Sequence, residues 1–173
     1  CIVNGNTANG SGGGISHATA NNCVLSNNTA AGVGGGAYEC ALNNCLISGN
    51  VASNYGGGVG GDGYDDAKLV NCTIYNNTAV GVGGGIYWNG PVVNSIVYYN
   101  ISAWDPTYAN YASLWYGTPL TFAYSCTDPD PGGEGNITNA PGFVNHALGD
   151  LRLAANSPCV NAGNNADVAN SAD

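Results

Sequence analysis

Residues 71–88 read NCTIYNNTAVGVGGGIYW. A cysteine, a short apolar run, an asparagine and three consecutive glycines follow one another in that order. The same order opens at Cys1 (CIVNGNTANGSGGGIS), at Cys23 (CVLSNNTAAGVGGGAY) and at Cys45 (CLISGNVASNYGGGVG). The four cysteines are spaced by 22, 22 and 27 residues, and a fifth unit opens 23 residues later at Ser95 with SIVYYNIS. In every cysteine unit the first of the three glycines stands 11 positions after the cysteine, at Gly12, Gly34, Gly56 and Gly83. Length therefore varies only in the second half of a unit, and the 27-residue unit owes its excess to GGDGYDDAK, a polar loop at one corner. Self-similarity at a short fixed period identifies a solenoid before any local propensity is considered.

Inside a unit the third position is aliphatic (Val3, Leu25, Ile47, Ile74, Val97) and the eighth is small (Ala8, Ala30, Ala52, Ala79, Ser102). Between them stands an asparagine in every unit: Asn6, Asn28, Asn50, Asn77 and Asn100. First and third positions share a face of a strand, so cysteine and aliphatic residue are expected to point inward together. The asparagine is expected to end the strand in a left-handed conformation and to bond its counterpart in the next coil, and the glycines to form a second corner. Short strands without helical periodicity predict an all-β chain: a right-handed single-stranded parallel β-helix of about 22-residue coils. Coils are expected over residues 1–125, with an aromatic excursion at about 100–124, and a closing segment over 126–173.

Repeated positions in such a stack become ladders at about 4.8 Å spacing. The column Cys1, Cys23, Cys45, Cys72 reads as stacked thiols packing as small apolar groups, because a disulfide prefers a closer Cβ approach of about 3.8 Å. Rung-to-rung disulfides remain open, and a metal site lacks the histidines or C-x-x-C pairs that zinc would need.

Only 2 Lys and Arg stand against 11 Asp and Glu, a net charge of −9, which removes the electrostatic footprint of nucleic-acid or anionic-membrane binding. No apolar run is long enough to insert in a membrane. With 8% charged residues, no Met and 26 Asn, amides, hydroxyls and backbone solvate the surface. Lacking an initiator Met and beginning in register with its repeat, the chain reads as a piece of a longer secreted precursor.

The pairing of NNTA or SGNVA with a following GGGIY or GGGAY resembles the repeats of chlamydial-type polymorphic outer-membrane proteins and related autotransporter-like adhesins, over residues 1 to about 102. Residues 124–165, YSCTDPDPGGEGNITNAPGFVNHALGDLRLAANSPCVNAGNN, are similar to the closing segment of bacterial β-helix surface proteins of the choice-of-anchor Q kind. Cys126, Gly135, Asn136, Ile137, Pro141, Phe143, Val144, Gly149, Asp150, Arg152, Leu153, Ser157, Pro158, Cys159, Ala162 and Gly163 carry that likeness. Leu151 and Asn161 depart from it, where an aromatic and an aspartate are usual. Both resemblances imply an extracellular or bacterial cell-surface protein; neither implies an activity.

Three groups of residues are candidate sites. The aromatics Tyr98, Tyr99, Trp104, Tyr108, Tyr111, Trp115 and Tyr116, with Phe122 and Tyr124, offer a platform for sugar rings, a subunit interface, or a cover for an exposed part of the stack. Two acidic loops, Asp62, Asp65 and Asp66, and Asp128, Asp130 and Glu134, have the oxygen-rich spacing of a Ca²⁺ site or of plain solvated turns. No other cofactor is expected. Lys68, Arg152, His17 and His146 are the remaining ionisable cations, scattered over different coils, which speaks against polysaccharide lyase or hydrolase chemistry. Arg152 is expected to pair with Asp150 at the surface and His17 to be exposed. The N-x-S/T matches at Asn9, Asn27, Asn71, Asn76, Asn100 and Asn136 follow from the repeat's own composition.

Two functions compete on this reading. The first is a non-catalytic extracellular structural module: a surface adhesin, or a subunit that assembles end to end with copies of itself or with further coils of a precursor. Residues 1–22 hold no Lys, Arg, Asp, Glu or Pro to deter edge pairing. The alternative is a surface protein that binds or degrades carbohydrate through its aromatics, with surface glycans as partners.

Overall fold

The computed structural model describes residues 1–62, 68–113 and 119–167. The first coil runs through β1 (Ile2–Asn4), β2 (Thr7–Ala8), β3 (Ile15–Ser16) and β4 (Thr19–Asn21). Each later coil lays its strands parallel to these, giving one six-stranded and three five-stranded sheets along the sides of a β-solenoid. In the first sheet Ile2 faces Val24, Val24 faces Leu46, and Thr73 faces both Leu46 and Ile96. No α-helix occurs among the described residues, and none of them forms a helix long and apolar enough to cross a membrane.

Register turns sequence columns into a layered core. Val3, Leu25, Ile47, Ile74 and Val97 are successive partners along the first sheet, and from Leu25 onward each is at most 1% exposed. The opposite walls supply Ala37, Val59 and Ile86 from the third sheet and Leu42, Leu69 and Val92 from the fourth. Tyr111 and Phe122 take these two positions in the fifth coil, their rings 4.9 Å apart, so larger side chains close the end of the core.

The asparagine column explains why asparagine and triple glycine travel together. The backbone N–H and the Nδ2 of Asn28 both donate to Oδ1 of Asn50, and Nδ2 of Asn50 donates to Leu25 O and to Oδ1 of Asn77. The chain of amides runs from Asn6 through Asn100 and ends on Asn110, whose Nδ2 reaches Asp128 O. Every donor is satisfied inside the stack, which offsets the cost of burying Asn28, Asn50 and Asn77 at 0% exposure. A Cβ on Gly36 would stand 2.9 Å from Asn50 Nδ2, and one on Gly58 3.0 Å from Asn77 Nδ2. The third glycine of each triplet therefore makes room for the amide of the next coil.

Two sequence expectations need correction. The left-handed residue is not the ladder asparagine but the one before it: Gly5, Asn27, Gly49, Asn76 and Tyr99 all have φ between 52° and 69°. An asparagine already spends its amide inward, so the turn falls on its neighbour. A second left-handed column, Asn22, Asn44, Asn71, Asn94 and Tyr124, precedes the cysteine positions. The segment expected as an aromatic excursion instead supplies a fifth coil, with strands Ile96–Tyr98, Ile101–Ser102, Tyr111–Ala112 and Leu120–Ala123 in register. Among the described residues Tyr98, Tyr99, Tyr111, Phe122 and Tyr124 occupy coil positions, while Trp104 and Tyr108 sit on a corner.

All seven cysteines are free thiols. Cys45 Sγ donates to Asn43 O and Cys72 Sγ to Val70 O, each two residues back, and Ser95 and Ser125 repeat the bond with their hydroxyls to Val93 O and Ala123 O. Serine replaces cysteine in the later coils because the column needs a small donor. Contact with Cys45, then burial, holds the Cys72 thiol well above its ordinary range, and burial pushes Cys40 up.

After Cys126–Thr127 opens a sixth coil, residues 128–167 fold back as a strap along the first sheet. Ile137 bridges to Cys126, extending that sheet by one contact. The antiparallel pair Phe143–Asn145 and Asp150–Leu153 then packs beside Tyr75 and Tyr99.

Candidate functional site

The expected aromatic platform divides into two sets. Tyr98, Tyr99 and Tyr111 serve the strap: Tyr98 Oη donates to Thr138 O at 3.1 Å, Tyr111 Oη to Pro129 O at 3.2 Å, and Tyr99 stacks on His146 at 4.3 Å. Burial, then the nearby Asp128, raises the Tyr98 phenol; burial, then Asp130 and Asp128, raises Tyr111. Both stay protonated donors across the physiological range. Trp115 and Tyr116 lie outside the described residues.

Trp104 and Tyr108 form the second set, 73% and 47% exposed. They sit on the corner after Ile101–Ser102, and its hydrogen bonds fix their positions. Ser102 Oγ donates to Gly81 O and accepts from Asp105 N, Asp105 Oδ1 caps Thr107 N, and Gly83 N donates to Tyr108 O. Across from them Tyr55 stacks on Tyr87, centroids 4.6 Å apart and planes 28° from parallel. Tyr55, Val82, Tyr87, Trp104, Tyr108 and Ala112 line a groove of about 450 Å³. A second depression of about 450 Å³ continues past Trp104 to Tyr55, Asn54 and Ser53. Among the described residues the walls carry ring faces, hydroxyls and amides and no cation, an arrangement suited to a flat, neutral, hydroxylated ligand.

Sequence reasoning missed Tyr55 and Tyr87, which lie outside the aromatic-dense segment. A signal was present. Tyr55 stands where the other triplets are preceded by Ser11, Val33 and Val82, and Tyr87 repeats Tyr38 two positions beyond its glycines. Stacking across coils brings such residues together although their sequence separation hides it.

The acidic candidates that the structure describes do not assemble into a metal site. Among the described residues no three His, Cys, Asp or Glu side chains lie close enough to hold a metal ion. Asp128, Asp130 and Glu134 are exposed, and Asp130 Oδ1 is engaged by Gly132 N. The N–H of Asp62 donates to the Glu39 carboxylate, while Asp65 and Asp66 lie outside the described residues. The isolated cations stay apart too. His17 is exposed against Tyr38, His146 lies in the strap, Lys68 is exposed, and Arg152 pairs with Asp150 at 2.6 Å on the surface.

The third candidate surface is the outward edge of the first coil. β1, β2, β3 and β4 are each the terminal strand of their sheet, and Ile2 is 77% exposed.

Residues 71–87 match the Chlamydia polymorphic membrane protein repeat. No curated protein and no solved structure matches the chain. The matched stretch spans the strands Thr73–Tyr75, Thr78–Ala79 and Ile86–Tyr87, so it covers most of one coil and includes Asn77 and the glycines Gly83 to Gly85.

Proposed function

We propose that the chain is a non-catalytic module of a bacterial cell-surface adhesin, a rigid β-solenoid that holds the groove between Tyr55, Tyr87, Trp104 and Tyr108 toward a neutral surface glycan. The groove carries this reading: large rings stay exposed there, at fixed positions, on a molecule that elsewhere consumes its polar groups in ladders. The match of one coil to a surface-protein repeat supports an extracellular location. Among the described residues, scattered cations and separated carboxylates give no pair for general acid–base work, which supports binding over turnover.

The protein displayed on a non-adherent bacterium should bind immobilised neutral polysaccharides. The double change Trp104→Ala, Tyr108→Ala should lower binding at least tenfold with melting unchanged, in line with the weight of ring-stacking anchors. Equal adhesion by the variant would remove the groove reading, and cleavage of a polysaccharide would overturn the non-catalytic one.

A second reading rests on the first coil's edge. Its four uncharged edge strands invite another coil, from the same polypeptide or from a second copy joined end to end. Fibres in electron micrographs, lost on Ile2→Lys, would favour self-assembly. Monodisperse particles of the isolated chain would assign the edge to upstream coils.

A further inference from the structure

Cys126 differs from the other buried cysteines in its place on the coil. Cys45 and Cys72 also touch, but as successive rungs of the inward column, and each thiol donates to the carbonyl two residues back. Cys126 stands one position later, in register with Ile96, on the outward side of the first sheet. That column is 77% exposed at Ile2 and half-buried at Val24, Leu46, Thr73 and Ile96, yet Cys126 is 2% exposed. The strap covers it. Cys126 Sγ meets Asn139 O at 3.3 Å, and the thiol of Cys159, on the strap, lies close enough to shift it. Both line the seam between coil and strap, a space of about 280 Å³ that also touches Tyr124, Ile137 and Leu153. Cys159 is set in place by its own turn: Ser157 Oγ accepts from Cys159 N and donates to Pro141 O. Five residues on, Asn164 is clipped to Asn94 by two hydrogen bonds, Asn164 N to Asn94 Oδ1 and Asn94 Nδ2 to Asn164 O.

We propose that Cys126 and Cys159 are the chain's one disulfide-forming pair, and that their oxidation outside the cytoplasm locks the strap onto the last coil. The ladder thiols lie one above another in parallel coils, whereas Cys126 and Cys159 come from different segments, coil and strap, that line one seam. Cys159 is half-buried at the seam while Cys126 is 2% exposed, so Cys159 is the group an outside disulfide reaches first, and its contact with Cys126 lowers its thiol. Its thiolate, having given its proton to solvent, attacks a small-molecule or protein disulfide and expels one thiolate, leaving a mixed disulfide. Cys126, deprotonated in turn, attacks Cys159 Sγ, and the second thiolate leaves. Two electrons and two protons pass from the pair to the oxidant, which departs as its dithiol form. The loop so closed holds the hairpin and every strap contact with Tyr75, Tyr98 and Tyr99.

The test uses the full chain equilibrated with oxidised and reduced glutathione, then cleaved by chymotrypsin after Leu148, which is 83% exposed between the two cysteines. The pieces that carry Cys126 and Cys159 should stay joined on a non-reducing denaturing gel and separate on a reducing one, whatever is cut at the exposed Trp104 and Tyr108 upstream. Mass spectrometry after alkylation should find Cys126 linked to Cys159 and the other five cysteines alkylated. Cys159→Ser, at a half-buried site, should release the piece on both gels and raise the cleavage rate on the order of tenfold, as expected when a loop-closing bond is lost. Release from the oxidised wild-type chain, alkylation of both Cys126 and Cys159, or linkage of either to Cys23, Cys45 or Cys72 would overturn the proposal.

Discussion

The coils and the strap are built on opposite principles. In the coils each contact is made many times, so Asn50 does for Asn28 what Asn77 does for Asn50. In the strap each contact is made once: Tyr75 Oη to His146 O, Asn94 to Asn164, Tyr98 to Thr138. A repeated contact sits between identical neighbours, and its loss breaks a column. A singular contact fails alone. Stability in a solenoid is close to a sum of nearest-neighbour coil terms, so damage should be largest at the middle of a column and smallest at the strap's outer rim.

The most damaging change should be Ile47→Asp. Ile47 is 0% exposed between Leu25 and Ile74, and a carboxylate there has no partner. A loss of more than about 4 kcal/mol is expected, enough to prevent folding. Normal secretion with a cooperative melt would count against the layered core.

Asn50→Ala should follow. It strips acceptors from Asn28 N and Nδ2 and a donor from Leu25 O, all buried. Each orphaned group costs about 1–3 kcal/mol, so the denaturation midpoint should fall steeply while the slope stays the same. A shift no larger than that of a surface alanine would show the amide ladder to be ornamental.

Thr127→Val should act in the other direction. Thr127 continues the Val3 to Val97 column where coils give way to strap, and its Oγ1 is buried without a hydrogen-bond partner. Valine keeps the shape and removes the unpaired hydroxyl, so thermal stability should rise by about 1 kcal/mol. A lower melting temperature would mean that the hydroxyl has found a partner at the seam.

Arg152→Ala should do least. The guanidinium holds the Asp150 carboxyl down to about 2, but the guanidinium is open to solvent and the carboxyl only half-buried. A depressed carboxylate adds stability above its unfolded range and loses it as the pH falls through about 2. Exposure keeps that contribution small, and the melting temperature at neutral pH should not move measurably.

The coils were legible in the sequence because their physics repeats. Period, inward aliphatics, the amide ladder and the wider third unit all follow from positions that recur. The left-handed corners were placed one residue late because asparagine serves two roles, in the ladder at Asn28 and at the corner at Asn27. The groove was half legible. Trp104 and Tyr108 stood in an aromatic run, whereas Tyr55 and Tyr87 reach it only through stacking of the third, fourth and fifth coils. The strap's contacts were illegible, since a bond such as Tyr75 to His146 spans 71 residues and occurs once.

Amide hydrogen exchange on the intact chain tests the division between coils and strap most directly. The N–H groups of Asn28, Asn50 and Asn77, each bonded to the next amide in the ladder, should exchange only through global unfolding. Those of residues 143–153 should exchange faster, through local release of the strap, without any change in the coils. Equal protection in both regions, or faster exchange at the ladder asparagines than in the strap, would contradict the account.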